Sequence, residues 1–273
     1  MERKYRLDKY LVKIGLFPSR EKAKAAIKNG EVYVDGKLIT KGGVYIRESS
    51  KIEVLSPKIY VSRAGEKLKE VVFFFNIEIQ NRVALDIGAG TGGFTEVLLE
   101  NGIKKVYAVD VGKGVIHKRI RENPRVVVME GVNARYLSEE DIPEKIDIIT
   151  EDTSFISSKL IIPNVKGFLK SGGDYILLIK PQFEGKKGST TKGVVKDFSI
   201  HKEILIDILN FIKKEGFYPV GIIPSPVKGK EGNIEYLLYM KKNKIDIELS
   251  LSEIAESAIN KAKEKFYEDR NLF

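Results

Sequence analysis

Two periodicities divide the chain. In the first stretch Leu7, Tyr10, Leu11 and Ile14 recur at helical spacing, and Gly15 stops the turn. Ser19 is placed to cap a second helix over 20–29, whose inner face carries Ala23, Ala26 and Ile27 before Gly30 ends it. Residues 32–37 read as a strand entering an Asp35-Gly36 hairpin turn, and a strand over 51–55 closes the unit before Ser56-Pro57. From residue 83 the pattern changes. A short apolar strand over 83–87 runs into Gly88-Ala89-Gly90-Thr91-Gly92-Gly93, with a helix over 94–99. Further strands are predicted over 106–109, 126–129, 146–150 and 175–179, with helical segments over 159–169 and 201–214. Strands alternating with helices predict an α/β class: a Rossmann-like, doubly wound and mostly parallel sheet, preceded by a small α+β domain. The expected domains are 1–58, 59–242 and an amphipathic helical extension over 243–273. In that extension Ser250 and Glu253 fit a capping box. Ile254, Ala255, Ala258, Ile259, Ala262 and Phe266 form a stripe expected to pack against the domain or a partner subunit.

Charge sharpens the division. The 273 residues hold 47 Lys and Arg against 38 Asp and Glu, a net charge of +9. Residues 1–60 contain 14 of these cations and 7 of the anions, so +7 of the +9 sits at one end. A polyanionic partner is expected there. Arg20, Lys24 and Lys28 follow at i, i+4 and i+8 and share one helix face, suited to a phosphate backbone or simply to solvent. The absence of cysteine excludes disulfides and cysteine-based metal sites, and no metal is expected. No apolar run approaches the ~20 residues needed to span a bilayer. The opening residues do not form a secretory signal, so a cytoplasmic protein is expected.

The glycine-rich turn after the first strand of the second region allows close backbone approach to a ligand, and Asp110, twenty residues past Gly90, is placed to bind ribose hydroxyls. A nicotinamide enzyme would use similar parts. Asp86 tips the balance: a carboxylate so close would repel a diphosphate, whereas cationic, phosphate-free S-adenosylmethionine tolerates it. The alternative for Asp86 is a carboxylate that caps the following helix. Gly88, Gly90, Thr91, Gly92, Gly93, Phe94 and Asp110 are the candidate cofactor residues. Four other charged residues stand at strand ends or a helix start: Lys67, Asp152, Lys180 and Glu235. Lysine at the end of an apolar strand is unusual, since it is seldom buried unpaired. Taken singly, each could be a salt-bridged surface charge.

Motifs in both regions carry a family resemblance. Residues 5–55, with the Leu7-Asp8 start, the Ser19-Arg20 helix entry and the Val32-Tyr33-Val34-Asp35-Gly36 turn, closely resemble the S-four RNA-binding domain. By that resemblance Arg6, Ser19, Arg20, Lys24 and Lys28 are RNA contacts. YVSRAGEKL, LDIGAGTGGFT, TSFIS, LIKPQFE and SPVKGKEGNIEYL resemble the FtsJ-type ribose 2′-O-methyltransferases, and with the amino-terminal module the TlyA family, over about residues 5–241. The resemblance implies methylation of cytidine 2′-hydroxyls in ribosomal RNA, with S-adenosylmethionine as cofactor and ribosomal RNA or ribosomal subunits as partners. Some members carry a haemolysin label. The family's Lys-Asp-Lys-Glu tetrad falls on Lys67, Asp152, Lys180 and Glu235, with Asp152 also beside the cofactor and Asn133, which could equally be an ordinary turn asparagine, on its adenine side. A ribose hydroxyl is a poor nucleophile, so the site must align it and accept one proton. Lys180 is the expected base, with burial and the second ammonium of Lys67 favouring its neutral form and the carboxylates opposing this.

Some positions depart from the family pattern. Glu151 adds a carboxylate next to Asp152 that could perturb the tetrad, Thr153 replaces a common Val, and Gly90 a frequent Ser. Ser62 and Arg63, before the first strand, and Lys186, Lys187 and Lys192, in a Gly-, Lys- and Thr-rich loop over 185–196, are further expected RNA contacts. A non-catalytic RNA-binding protein would leave the tetrad unexplained. A membrane-active, haemolysin-type protein would lack a spanning segment.

Overall fold

The computed structural model describes residues 4–17, 19–28, 30–54, 60–186, 188–243 and 250–267. The chain separates into two compact units, Met1–Ile59 and Tyr60–Phe273.

The first unit comprises β1 (Lys4–Arg6), α1 (Leu7–Lys13), α2 (Arg20–Lys28), β2 (Val32–Val34), β3 (Lys37–Ile39), β4 (Tyr45–Arg47) and β5 (Ile52–Val54). The expected hairpin forms between β2 and β3, β5 joins its other side, and β1 pairs with β4 in a ribbon not foreseen from sequence. Leu7, Leu11, Ala23, Ile27 and Val32 are fully buried and fasten the two helices to the sheet. Ser19 caps α2, its Oγ accepting the Lys22 amide at 3.3 Å. Asp8 is buried beneath Arg6 and Arg20, whose guanidinium nitrogens donate to its carboxylate at 3.0–3.1 Å. Burial works against ionisation there, but the hydrogen bonds from Arg6 and Arg20 outweigh it and hold Asp8 down at about 2.

The second unit comprises α3 (Ala64–Phe74), β6 (Val83–Ile87), α4 (Gly93–Glu100), β7 (Lys105–Asp110), α5 (Lys118–Arg121), β8 (Val126–Glu130), β9 (Ile146–Glu151), α6 (Ile162–Val165), β10 (Leu169–Ile179), α7 (Pro181–Glu184), α8 (Phe198–Lys214), β11 (Phe217–Pro224), β12 (Tyr236–Lys242) and α9 (Leu251–Tyr267). Its seven-stranded sheet runs β11-β12-β10-β9-β6-β7-β8. The five strands from β10 to β8 are parallel, while β12 runs antiparallel to both of its neighbours. One apolar core lies between the sheet and α6, α8 and α9, the other between the sheet and α3 and α4. Residues on alternate strand positions feed the two cores, so Leu85 and Ile87 join the first and Ala84 the second. Such a sheet, covered on both faces, directs its ligand to the carboxyl ends of the parallel strands.

Two parts differ from the expected pattern. The helix expected over 159–169 is a 3-10 turn at Ser158–Leu160, the four-residue α6, and then the start of β10. Pro163 stands in the first turn of α6, where its missing N–H costs nothing but cannot extend a helix begun earlier. β11 carries Pro219, Gly221 and Pro224, a composition that argues against a strand. It is nevertheless the sheet's edge, and its register shifts between Pro219 and Gly221. No helix among the described residues is long and apolar enough to cross a membrane.

α9 packs its small-residue stripe, Ile254, Ala255, Ala258, Ile259 and Ala262, into the core shared with α8, and the Ser250 hydroxyl accepts the Glu253 amide at its start. Ile259→Ala should therefore lower the unfolding free energy of the full chain by about 2–4 kcal/mol in chemical denaturation. A loss below about 0.5 kcal/mol, typical of a surface site, would show that the helix is not part of the core.

Candidate active site

The site forms where β6 ends. Gly88 has φ +75°, and a Cβ added there would lie 2.5 Å from the carbonyl oxygen of Asp152, so only glycine fits between the two strand ends. Four of the turn's amides are already used. Gly88 and Ala89 donate to the Val109 carbonyl, Gly92 to that of Ala89, and Gly90 to the Asp110 carboxylate at 2.8 Å. The other Asp110 oxygen accepts the Gly112 amide at 2.7 Å. Beside the turn opens a cavity of about 560 Å³, walled by Gly88, Gly90, Asp110, Asn133, Asp152 and Lys180 among others. That volume suits a cofactor-sized ligand. A turn with these amides satisfied and two carboxylates facing the cavity has little to offer a diphosphate. It fits a cationic, phosphate-free nucleoside such as S-adenosylmethionine.

The expected cofactor residues divide. Thr91 reaches the cavity wall, its hydroxyl donating to the Val61 carbonyl at 3.3 Å. Asn133 also lines the wall and caps a short 3-10 turn, its Oδ1 accepting the Arg135 amide at 3.0 Å. Asp86, Gly92, Gly93 and Phe94 are not brought to the wall. Asp86 shares the Ala84 side of β6 and lies buried under α4, accepting the Thr95 and Thr150 hydroxyls at 2.5 and 2.7 Å. Burial raises it to about 6. It ties β6, β9 and α4 together. Phe94 is a core residue, while Gly92 and Gly93 let Ile120, Ser62 and Ala64 pack closely against the start of α4.

The four charged residues line one edge of the sheet as two ion pairs. Lys180, immediately after β10, places Nζ 2.6 Å from Asp152 Oδ1 and donates to the Ser154 hydroxyl at 2.8 Å. Lys67, on α3, places Nζ 2.6 Å from Glu235 Oε2; these two residues are 8% and 3% exposed. The antiparallel pairing of Ile179 with Tyr236 sets Lys180 opposite Glu235 at the next position, and the parallel pairing of Ile87 with Glu151 sets Gly88 beside Asp152. At salt-bridge distance each ammonium thus has its own carboxylate. Removing one member of the buried pair would strand the other, at a cost of about 3–5 kcal/mol.

Glu151 does not join them. Strand alternation turns it to the opposite face from Asp152, where it accepts the Tyr175 hydroxyl at 2.5 Å and the Thr153 hydroxyl at 3.1 Å. Burial there pushes its carboxyl up to about 7. Among the expected RNA contacts, Ser62 lies on the cavity wall. Arg63, Lys186 and Lys192 are exposed, as are Lys24 and Lys28 on α2. Lys187 lies outside the described residues. Sequence reading missed Phe155, which is 86% exposed with φ +63° at the cavity mouth, its ring 4.9 Å from that of Phe183. Its position among polar residues in Thr153-Ser154-Phe155 was the available signal.

The chain is similar to known proteins over most of its length. The profile of FtsJ-like methyltransferases matches residues 60–242, and that of the S4 domain matches residues 6–50. Hemolysin A of Brachyspira hyodysenteriae is 41% identical over 236 residues, covering 86% of this chain and 98% of that protein. The 16S/23S rRNA (cytidine-2′-O)-methyltransferase TlyA of Mycobacterium tuberculosis is 38% identical over 244 residues, covering 88% and 91%. A solved structure described as "Putative hemolysin from Streptococcus thermophilus" superposes with a TM-score of 0.71 at 36% identity, covering 97% of this chain and 98% of that one.

Glu151 gives the site a testable pH signature. A carboxyl raised to about 7 when folded holds its proton in the folded state where the unfolded chain has lost it. Its stabilising contribution is complete below the unfolded value and is lost as pH rises through about 7. Wild type should therefore lose stability relative to Glu151→Gln between pH 5 and 8 in parallel denaturation series. A constant difference across that range would contradict the buried, raised carboxyl.

Proposed function

Because the chain belongs to the FtsJ-like methyltransferase family and carries an S4 domain ahead of its catalytic unit, we propose that it methylates the 2′-hydroxyl of a cytidine in ribosomal RNA. The observation that carries this reading is the Lys180–Asp152 pair on the cavity wall beside the glycine turn, with Glu235 at the facing strand position and Lys67 paired to it. S-adenosylmethionine is the methyl donor, and when bound it supplies an already activated methyl group. The residues of this chain then have positional tasks. Gly88 keeps the turn close to Asp152, and Asp110 and Asn133 hold the nucleoside side of the cavity. Asp152 and Ser154 orient the Lys180 amine, whose Nζ, once it has released its own proton, receives the one leaving the ribose 2′-oxygen. Glu235 and Lys67 form the buried brace on the neighbouring strand. Together these groups align the ribose oxygen and remove one proton, the two demands a hydroxyl nucleophile makes.

The S4 unit supplies affinity for RNA. In this reading Arg6 and Arg20, fixed by Asp8, and Lys24 and Lys28 contact phosphates, as do Arg63, Lys186 and Lys192 on the catalytic unit. The substrate would be ribosomal RNA or a ribosomal subunit, which places the protein in the cytoplasm. The names of the Mycobacterium relative and of the family support the reaction class, and the cytidine target follows that relative.

Two measurements test the reading. Lys180→Ala should lower methyl transfer to ribosomal RNA at least about a hundredfold, the scale of general-base catalysis, with S-adenosylmethionine affinity unchanged by calorimetry. Retained transfer would refute the assigned base. Lys24→Gln with Lys28→Gln, both exposed on α2, should raise KM for RNA, leave kcat unaltered, and reduce the salt dependence of binding by about two phosphate contacts. An unaltered salt slope would remove these lysines from the RNA surface.

A further inference from the structure

Asn233 lies two residues before Glu235 and is 2% exposed, a rare setting for an amide side chain. It makes a two-point contact with the end of the lysine-rich loop. Oδ1 accepts the Val195 amide at 3.2 Å, and Nδ2 donates to the Gly193 carbonyl at 3.0 Å. A side chain here reproduces the paired N–H and C=O exchange of a β-ladder. The Val195 carbonyl is held as well. His201 Nε2 lies 2.9 Å from it, and since a carbonyl only accepts, Nε2 carries the proton. Nδ1 then accepts the hydroxyl of Tyr236, the residue after Glu235, at 2.9 Å. Burial holds His201 below its usual value, in keeping with this neutral form.

Asn233 thus fixes Val195 at its N–H, and His201, itself bonded to Tyr236 on the other side of Glu235, fixes its C=O. The turn that carries Glu235 is braced from within. The Asn233 carbonyl accepts the Gly229 amide at 2.8 Å, and Gly229 lies so close to the Glu235 carboxylate that a Cβ there would fall 2.0 Å from Oε1. Val195 is buried, whereas Lys186 and Lys192, before it in the same segment, are exposed. The segment therefore has a fixed base and an exposed basic portion.

We propose that Asn233 is a positioning residue that fastens Gly193 and Val195, at the base of the lysine-rich loop, to the turn holding Glu235, so that RNA contact by Lys186 and Lys192 and the placement of Glu235 depend on one side chain. The catalytic half of this inference rests on the methyltransferase reading; the anchoring half does not.

The experiment has one arm without RNA and one with it, both on the full chain. In the first, trypsin cleavage after Lys186, Lys192 and Lys196 should quicken at least tenfold in Asn233→Ala, with S-adenosylmethionine affinity unchanged. In the second, Asn233→Ala should raise KM for ribosomal RNA and lower kcat about tenfold. Lys186→Gln with Lys192→Gln should raise KM in wild type but add nothing in the Asn233→Ala background. Asn233→Asp keeps the acceptor for Val195 and loses the donor to Gly193, so it should fall between the two and carries the test if the alanine variant does not fold. Wild-type cleavage rates, or additive effects on KM, would overturn the proposal. If wild type transfers no methyl group to RNA, the functional reading fails and the cleavage arm alone decides the anchoring.

Discussion

Two lysines can stand at the carboxyl edge of this apolar sheet because each meets a carboxylate at 2.6 Å. An ammonium left alone there would be too costly to bury, and the same holds for the carboxylates. The pairs differ in setting. Lys67 and Glu235 are nearly sealed between α3 and β12, whereas Lys180 and Asp152 stand on the cavity wall. The first behaves as a brace, the second as the part that can meet a ligand. Much of the unit serves this edge: β12, inserted antiparallel between β10 and the edge strand β11, brings Glu235 to the level of Lys180.

Close packing completes the edge. The Gly88 turn lies against the Asp152 backbone, Gly229 against the Glu235 carboxylate, and Asn233 against the 193–195 segment. Each contact leaves no room for a larger side chain or a missing hydrogen bond, and each fixes a group that chemistry would use. The carboxylates that do not face the cavity have structural tasks. Asp86 ties three elements under α4, and Asp8 in the other unit holds two arginines by its charge.

Much of this was legible in the sequence, and for identifiable reasons. The apolar runs of β6 to β9 and the Asp35-Gly36 turn announce themselves locally. Lys180 and Asp152 could be placed because each directly follows a strand. What failed was whatever depends on direction or distance. Asp86 sits at the expected level, but alternation points it under a helix, and a lone strand does not say which face the ligand takes. Phe94 reads as part of the glycine motif but is turned into the core by the first turn of α4. Residues 159–169 have a helical pattern that Pro163 and Gly167 break. The pairing of the four charges into two bridges, and the Asn233 contact across about forty residues of chain, exist only once the sheet is assembled.

The chemistry of the product examines the account most directly. Purified protein would be incubated with ribosomal RNA and methyl-labelled S-adenosylmethionine, and the RNA then hydrolysed in alkali. A methylated 2′-oxygen cannot attack the adjacent phosphate, so the account predicts label confined to alkali-stable dinucleotides with cytidine on the 5′ side. Label released in mononucleotides would mean a methylated base, and would contradict a site built to take a proton from a sugar hydroxyl.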